Sequence, residues 1–305
     1  MMTMKASITS TFTPATTDQK KQIRRLFEDA INKALKVIPL DKAAAQCIIN
    51  ASDGESIQDL VLDKFRTLTQ GQHVGEEVGS KCTYPDMFRV SDLATQAAIL
   101  HESFPTLDCS FDPKFSESKE LSVGADGRFV IPPWQKIAST YGKAVEDVLY
   151  AIEAMRKFYN NRKGKTGMEY LRETTHKAVR FKKLADEQKG FGLVVVDGQL
   201  GRVHRGRSAL RVREMLMLNE FCFGVYEVAI MLLTNPGRLI ACMNLWIDCS
   251  GDEASCNKDW DYTCIPFFSF SFAPFFSAGG DRLKFDYRKV DHANKHSGSS
   301  SGFLP

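Results

Sequence analysis

The sequence predicts a mainly helical α+β protein: an N-terminal helical region, then a helical hairpin and a long central core helix packed with a small C-terminal sheet. Three observations predict it. The stretch from Ser208 to Pro236 is apolar on nearly every side when wound at 100° per residue. Apolar residues recur at helical spacing through most of the chain ahead of it. Strand signals are few: a β-branched run at Leu193–Val196 and an alternation of Phe and Ser over Phe268–Phe272.

At the N-terminus, Thr16 or Thr17 can cap a helix over residues 18–38, whose stripe is Ile23, Phe27, Ile31 and Leu35. Shorter helices are expected at Ala43–Ile49 and over 56–68, and a Gly/Glu/Ser-rich loop over 70–85. Ser91 opens a further helix that Pro105 stops. Residues 106–130 read as irregular, so the domain boundary is placed there, giving a helical region over 1–128 and an α+β region over 129–305.

Pro132-Pro133 pre-sets a long helix from Trp134 to Asn161, because the first turn of a helix has no partner for the missing amide. A basic turn over 160–165 and a return helix over 167–188 complete the hairpin. Leu193–Val196 is so apolar that it predicts a strand covered on both faces. The central helix is expected over 208–235, capped by Ser208 and halted by Pro236. A second strand or short helix ends at Asp248, a hairpin turns at residues 278–281, and the Ser/Gly-rich end over 296–305 reads as flexible unless Phe303-Leu304 docks.

A chain of 305 residues with 43% hydrophobic and 25% charged residues has the balance of an ordinary globular protein. Eight cysteines without a CxxC, and an opening without the apolar core of an export signal, point to a reduced, cytoplasmic setting. No stretch is long and apolar enough for a membrane span, since Phe221 to Leu233 already contains Glu227. The formal charge of +3 conceals an asymmetry: residues 155–214 carry a net +10, between segments of −4 and −3. Such a segment calls for an acidic partner, within the protein or outside it.

The glycine-punctuated loop before the central helix carries Arg202, His204, Arg205 and Arg207, followed by Arg211 and Arg213 on the helix. Together with Lys182 and Lys183 of the hairpin they form a candidate anion site, since guanidinium groups beside outward amides suit a phosphate. The leading expectation is therefore binding of a phosphate-bearing partner, such as nucleic acid, through salt-sensitive backbone contacts. A rival reading takes Asp197, Asp248, Asp252 and Glu253, at or near strand ends, as carboxylates holding Mg²⁺ for a hydrolase or phosphotransferase. A third reading is an assembly protein that self-associates or meets a protein partner, through the basic hairpin or an apolar outward face of Phe267–Phe276. His292 and His296 share the spacing of two ligands on one helical face, but no third ligand lies near, so no metal site is assigned.

Overall fold

The computed structural model describes residues 76–118, 120–255 and 270–305, with scattered positions between 16 and 42. The chain divides into two compact units, Met1–Val74 and Gly75–Pro305, so the boundary expected at 128/129 falls inside the second. In the first unit, residues 17, 18 and 20–25 are helical, the opening of the expected first helix. The expected helices at 43–49 and 56–68 lie outside the described residues.

Among the described residues the second unit is built on one mixed sheet of ten strands, so the fold is a sheet-rich α+β arrangement and not mainly helical. Its strands are β1 Gly127–Ile131, β2 Phe158–Asn160, β3 Leu171–Glu173, β4 Val194–Arg205, β5 Glu220–Cys222, β6 Trp246–Asp248, β7 Asp252–Ala254, β8 Phe272–Gly279, β9 Arg282–Lys289 and β10 Ser297–Phe303. The main path runs β1-β4-β10-β6-β8-β7-β3, with β5 also on β10 and β9 joining β8 to β2. The longer helices are α1 Leu93–Ser103, α2 Tyr141–Met155, α3 Thr175–Glu187, α4 Ala209–Met215 and α5 Val225–Thr234.

Helix prediction overreached in two places. The expected central helix is broken: α4 ends at Met215, Leu216 turns extended (φ −58°, ψ 139°), β5 pairs with β10, and α5 restarts after Gly224. An apolar run buried on all sides has the same composition as a helix or as a covered strand, and here the sheet claims its middle. The hairpin is likewise shorter. Pro133 leads only into a single 3₁₀ turn, Thr140 caps α2, and the expected return arm yields β3 on β7 before Thr174 caps α3.

The tail over 297–303, expected to be flexible, is a central strand held by β4 on one side and β6 on the other. Small residues make this fit. A Cβ on Gly302 would stand 2.6 Å from Phe223 Cζ, and one on Gly298 would stand 2.1 Å from the Gly201 carbonyl oxygen. The serine hydroxyls of this strand find internal partners: Ser299 with Ser250, Ser300 with the Asp248 carbonyl, and Ser301 with Glu220.

The expected strand at 193–196 is present and lengthened to twelve residues, with Val194, Val195 and Val196 buried. The hairpin turning at 278–281 is present as well. α5 is buried at every position, and α1, α2 and β1 contribute Leu100, Val148 and Phe129 to the same core. Among the described residues no helix is long and apolar enough to cross a membrane.

Candidate functional site

Several titratable groups with shifted pKa surround Lys177, on α3. Its ammonium lies 2.9 Å from Glu227 Oε2, 3.1 Å from Glu173 Oε1 and 3.3 Å from Asp252 Oδ1, and it donates to the Tyr141 hydroxyl at 3.0 Å. Tyr141 in turn donates to Asp252 Oδ2. Burial opposes the lysine's charge, but the carboxylates of Asp252, Glu227 and Glu173 override it and raise its pKa. Burial raises the pKa of both Asp252 and Glu227, partly offset by Lys177.

Perturbed groups in a cleft would suggest catalysis. Here the geometry gives them another task. α5 is buried to its first turn, so its leading amides have no water to bond. Asp252 accepts from Val225 N at 2.7 Å, and Glu227 accepts from Gly224 N at 2.9 Å. The carboxylates cap α5, and Lys177 supplies the counter-charge they share.

The acidic constellation expected from the sequence does not converge. Each carboxylate faces a different cation: Asp197 with Arg128 at 3.1 Å, Asp248 with Arg288 at 3.5 Å, Asp252 with Lys177, and Glu253 with Arg172 at 2.8 Å and Arg213 at 3.6 Å. Asp197 pairs in register with Phe303 and Asp248 with Ser299. Four residues of β10 therefore part them by about 13 Å along the sheet, and two strand spacings by roughly 10 Å across it. Among the described residues no group of His, Cys, Asp and Glu is arranged to hold a metal ion.

The basic constellation is divided in two. Most of its cations are engaged by acids drawn from elsewhere in the chain. Arg202 pairs with Asp126 at 2.8 Å, and Arg211 with Glu77 at 2.8 Å and Glu214 at 3.4 Å. Arg207 lies 3.8 Å from Glu77, and Arg213 also donates to the carbonyls of Ser250 and Asp252. Lys182 pairs with Asp186 at 2.6 Å, while Lys183 is exposed beside it. His204 is buried against Glu220 at 2.8 Å. Burial opposes the Glu220 charge, yet the His204 imidazole and the Ser301 hydroxyl hold its pKa below the usual carboxylate value.

Arg205, like Lys183, meets no acid among the described residues. It sits at the outer end of β4, exposed, with its guanidinium directed at the Cys82 carbonyl at 3.4 Å. The segment 77–83 is stitched to this end of the sheet: Val78 N donates to the Gly206 carbonyl at 2.8 Å, and Ser80 Oγ to the Lys295 carbonyl at 2.6 Å. Gly298, at the start of β10, pairs with Arg205. Lys81 and Lys295 are thereby drawn to the same edge, both exposed. Among the described residues none of the three makes an ion pair within 4.0 Å. Lys81 and Lys295 lie far from the basic segment in sequence, and nothing in the residues around them signals their meeting with Arg205.

No family model, no curated protein and no solved structure matches this chain.

Proposed function

We propose that the protein binds a phosphate-bearing polymer, nucleic acid being the fitting class, at the edge formed by Lys81, Arg205 and Lys295. The observation that carries this reading is that these three exposed cations, gathered from three separate segments, share no acid among the described residues. Their neighbours Arg207 and Arg211 are engaged by Glu77 and shape the rim without offering a whole charge. Contacts of this kind fall on phosphates and read no sequence.

The test is fluorescence anisotropy with a labelled single-stranded RNA and with duplex DNA of equal length. Three phosphate contacts predict an affinity that falls between about 50 and 200 mM salt with a log–log slope of about −2.7 for the duplex and about −2.1 for the single strand. Joint reversal of the three charges, Lys81→Glu, Arg205→Glu and Lys295→Glu, is expected to abolish binding. No binding of either probe in dilute buffer refutes the reading.

A further inference from the structure

We propose a second, unrelated site: the cavity between α3, β4 and residues 112–118 and 120–122 takes one uncharged, largely apolar small molecule. The cavity measures about 590 Å³, within the range of pockets that hold small organic ligands. Its apolar walls are Leu184 of α3, Val195 and Val196 of β4, Phe303 of β10, and Phe115 and Leu121 of the covering segment.

The less exposed polar groups of this cavity, Arg128, Asp197 and Gln188, are already hydrogen-bonded, while the charged Lys114, Glu120 and Glu187 that also line it are exposed to solvent. Arg128 directs Nε at Asp197 Oδ1, 3.1 Å away. One of its terminal nitrogens donates to the carbonyls of Phe115, at 2.8 Å, and Ser118; the other donates to Ser118 Oγ, at 3.3 Å, and the Glu120 carbonyl. The second oxygen of Asp197 accepts from Ser122 N at 2.7 Å. Gln188, also on the wall, is closed in a double bond with the Val195 backbone, 2.8 Å each way. A guest seated against Val195, Val196 and Leu184 therefore meets hydrocarbon. Water in such a space has few wall partners, so an apolar molecule displaces it favourably.

The same hydrogen bonds explain how the space persists. The covering segment packs lightly at its far end, with Leu121 43% exposed. Arg128, anchored in β1, holds it off the sheet through three carbonyls, so the wall stands without hydrophobic collapse onto β4.

Nile red, a neutral apolar fluorophore, is the probe. Saturable, one-to-one enhancement of its emission is expected with the whole chain. Leu184→Trp, which fills the cavity from α3, is expected to abolish it while the cooperative thermal transition remains. Should that variant fail to fold, Leu121→Glu, on a half-exposed position, decides: a charge set in the apolar wall lowers affinity about tenfold. Non-saturable emission, or saturable binding that survives in Leu121→Glu and in a folded Leu184→Trp, overturns the proposal. Its outcome is independent of the polyanion reading, since none of the three cations at the sheet edge lines this cavity.

Discussion

Lys177 on α3 and Glu227 on α5 meet at 2.9 Å with both side chains almost wholly withdrawn from solvent. The pair joins two helices far apart in sequence, and Asp252 of β7 closes the group. One cation thus serves three carboxylates.

Removing the cation leaves Asp252 and Glu227 buried without a counter-charge. Lys177→Met is expected to destabilise the protein by about 3–5 kcal/mol, the usual cost of breaking a buried pair from one side. Urea unfolding monitored by tryptophan fluorescence measures it; a loss under about 1 kcal/mol, typical of a surface pair, would show the network to be ornamental.

The pH dependence follows from the direction of the shift. Burial raises the pKa of Glu227 above its ordinary 4.5 in the folded protein, partly offset by Lys177. The folded state thus binds the proton more tightly than the unfolded chain does. The stability this lends is complete below pH 4.5 and is lost as pH rises through the raised folded value. Glu227→Gln, which cannot ionise, is expected to show a shallower decline of stability above pH 4.5 than the parent protein. Parallel stability curves for the two would contradict the assignment.

β10 tolerates little added bulk. Gly302→Ala places a methyl 2.6 Å from Phe223 Cζ and 2.8 Å from Phe221 Cζ, so one of the rings must shift. Overpacking of this kind costs about 1–3 kcal/mol, read as a fall in thermal midpoint. A variant as stable as the parent would mean that the Phe221 and Phe223 rings relax freely.

At the sheet edge, single charge substitutions separate the exposed cation from its engaged neighbours. Arg205→Glu is expected to reduce the magnitude of the salt slope for nucleic-acid binding by about 1, the signature of one lost phosphate contact. Arg211→Gln, whose guanidinium is already taken by Glu77 and Glu214, is expected to leave that slope unchanged. Equal effects of both would place the polymer on the helix α4 instead.

What could be read locally in the sequence concerns elements whose signals are short-ranged. Ser208 does cap a helix, accepting from Arg211 N at 3.0 Å; Pro236 follows the end of α5; Leu193–Val196 enters a covered strand; and the chain turns between β8 and β9. Caps, prolines and β-branched runs act on their own neighbours, so their meaning survives without knowledge of the rest.

Only the tertiary structure decided the remainder. Phe221 and Cys222 fit a helix or a strand equally by periodicity, and the serine-rich end reads as solvent-loving until β4 and β6 supply partners for its backbone. The net +10 between residues 155 and 214 reads as one charged surface, yet Glu77, Asp126, Glu253, Asp281 and Asp286 from outside that segment engage much of it. Coulomb attraction depends on distance in space and not on order along the chain, which is why the sequence showed the charges and the fold chose which of them remain unmet.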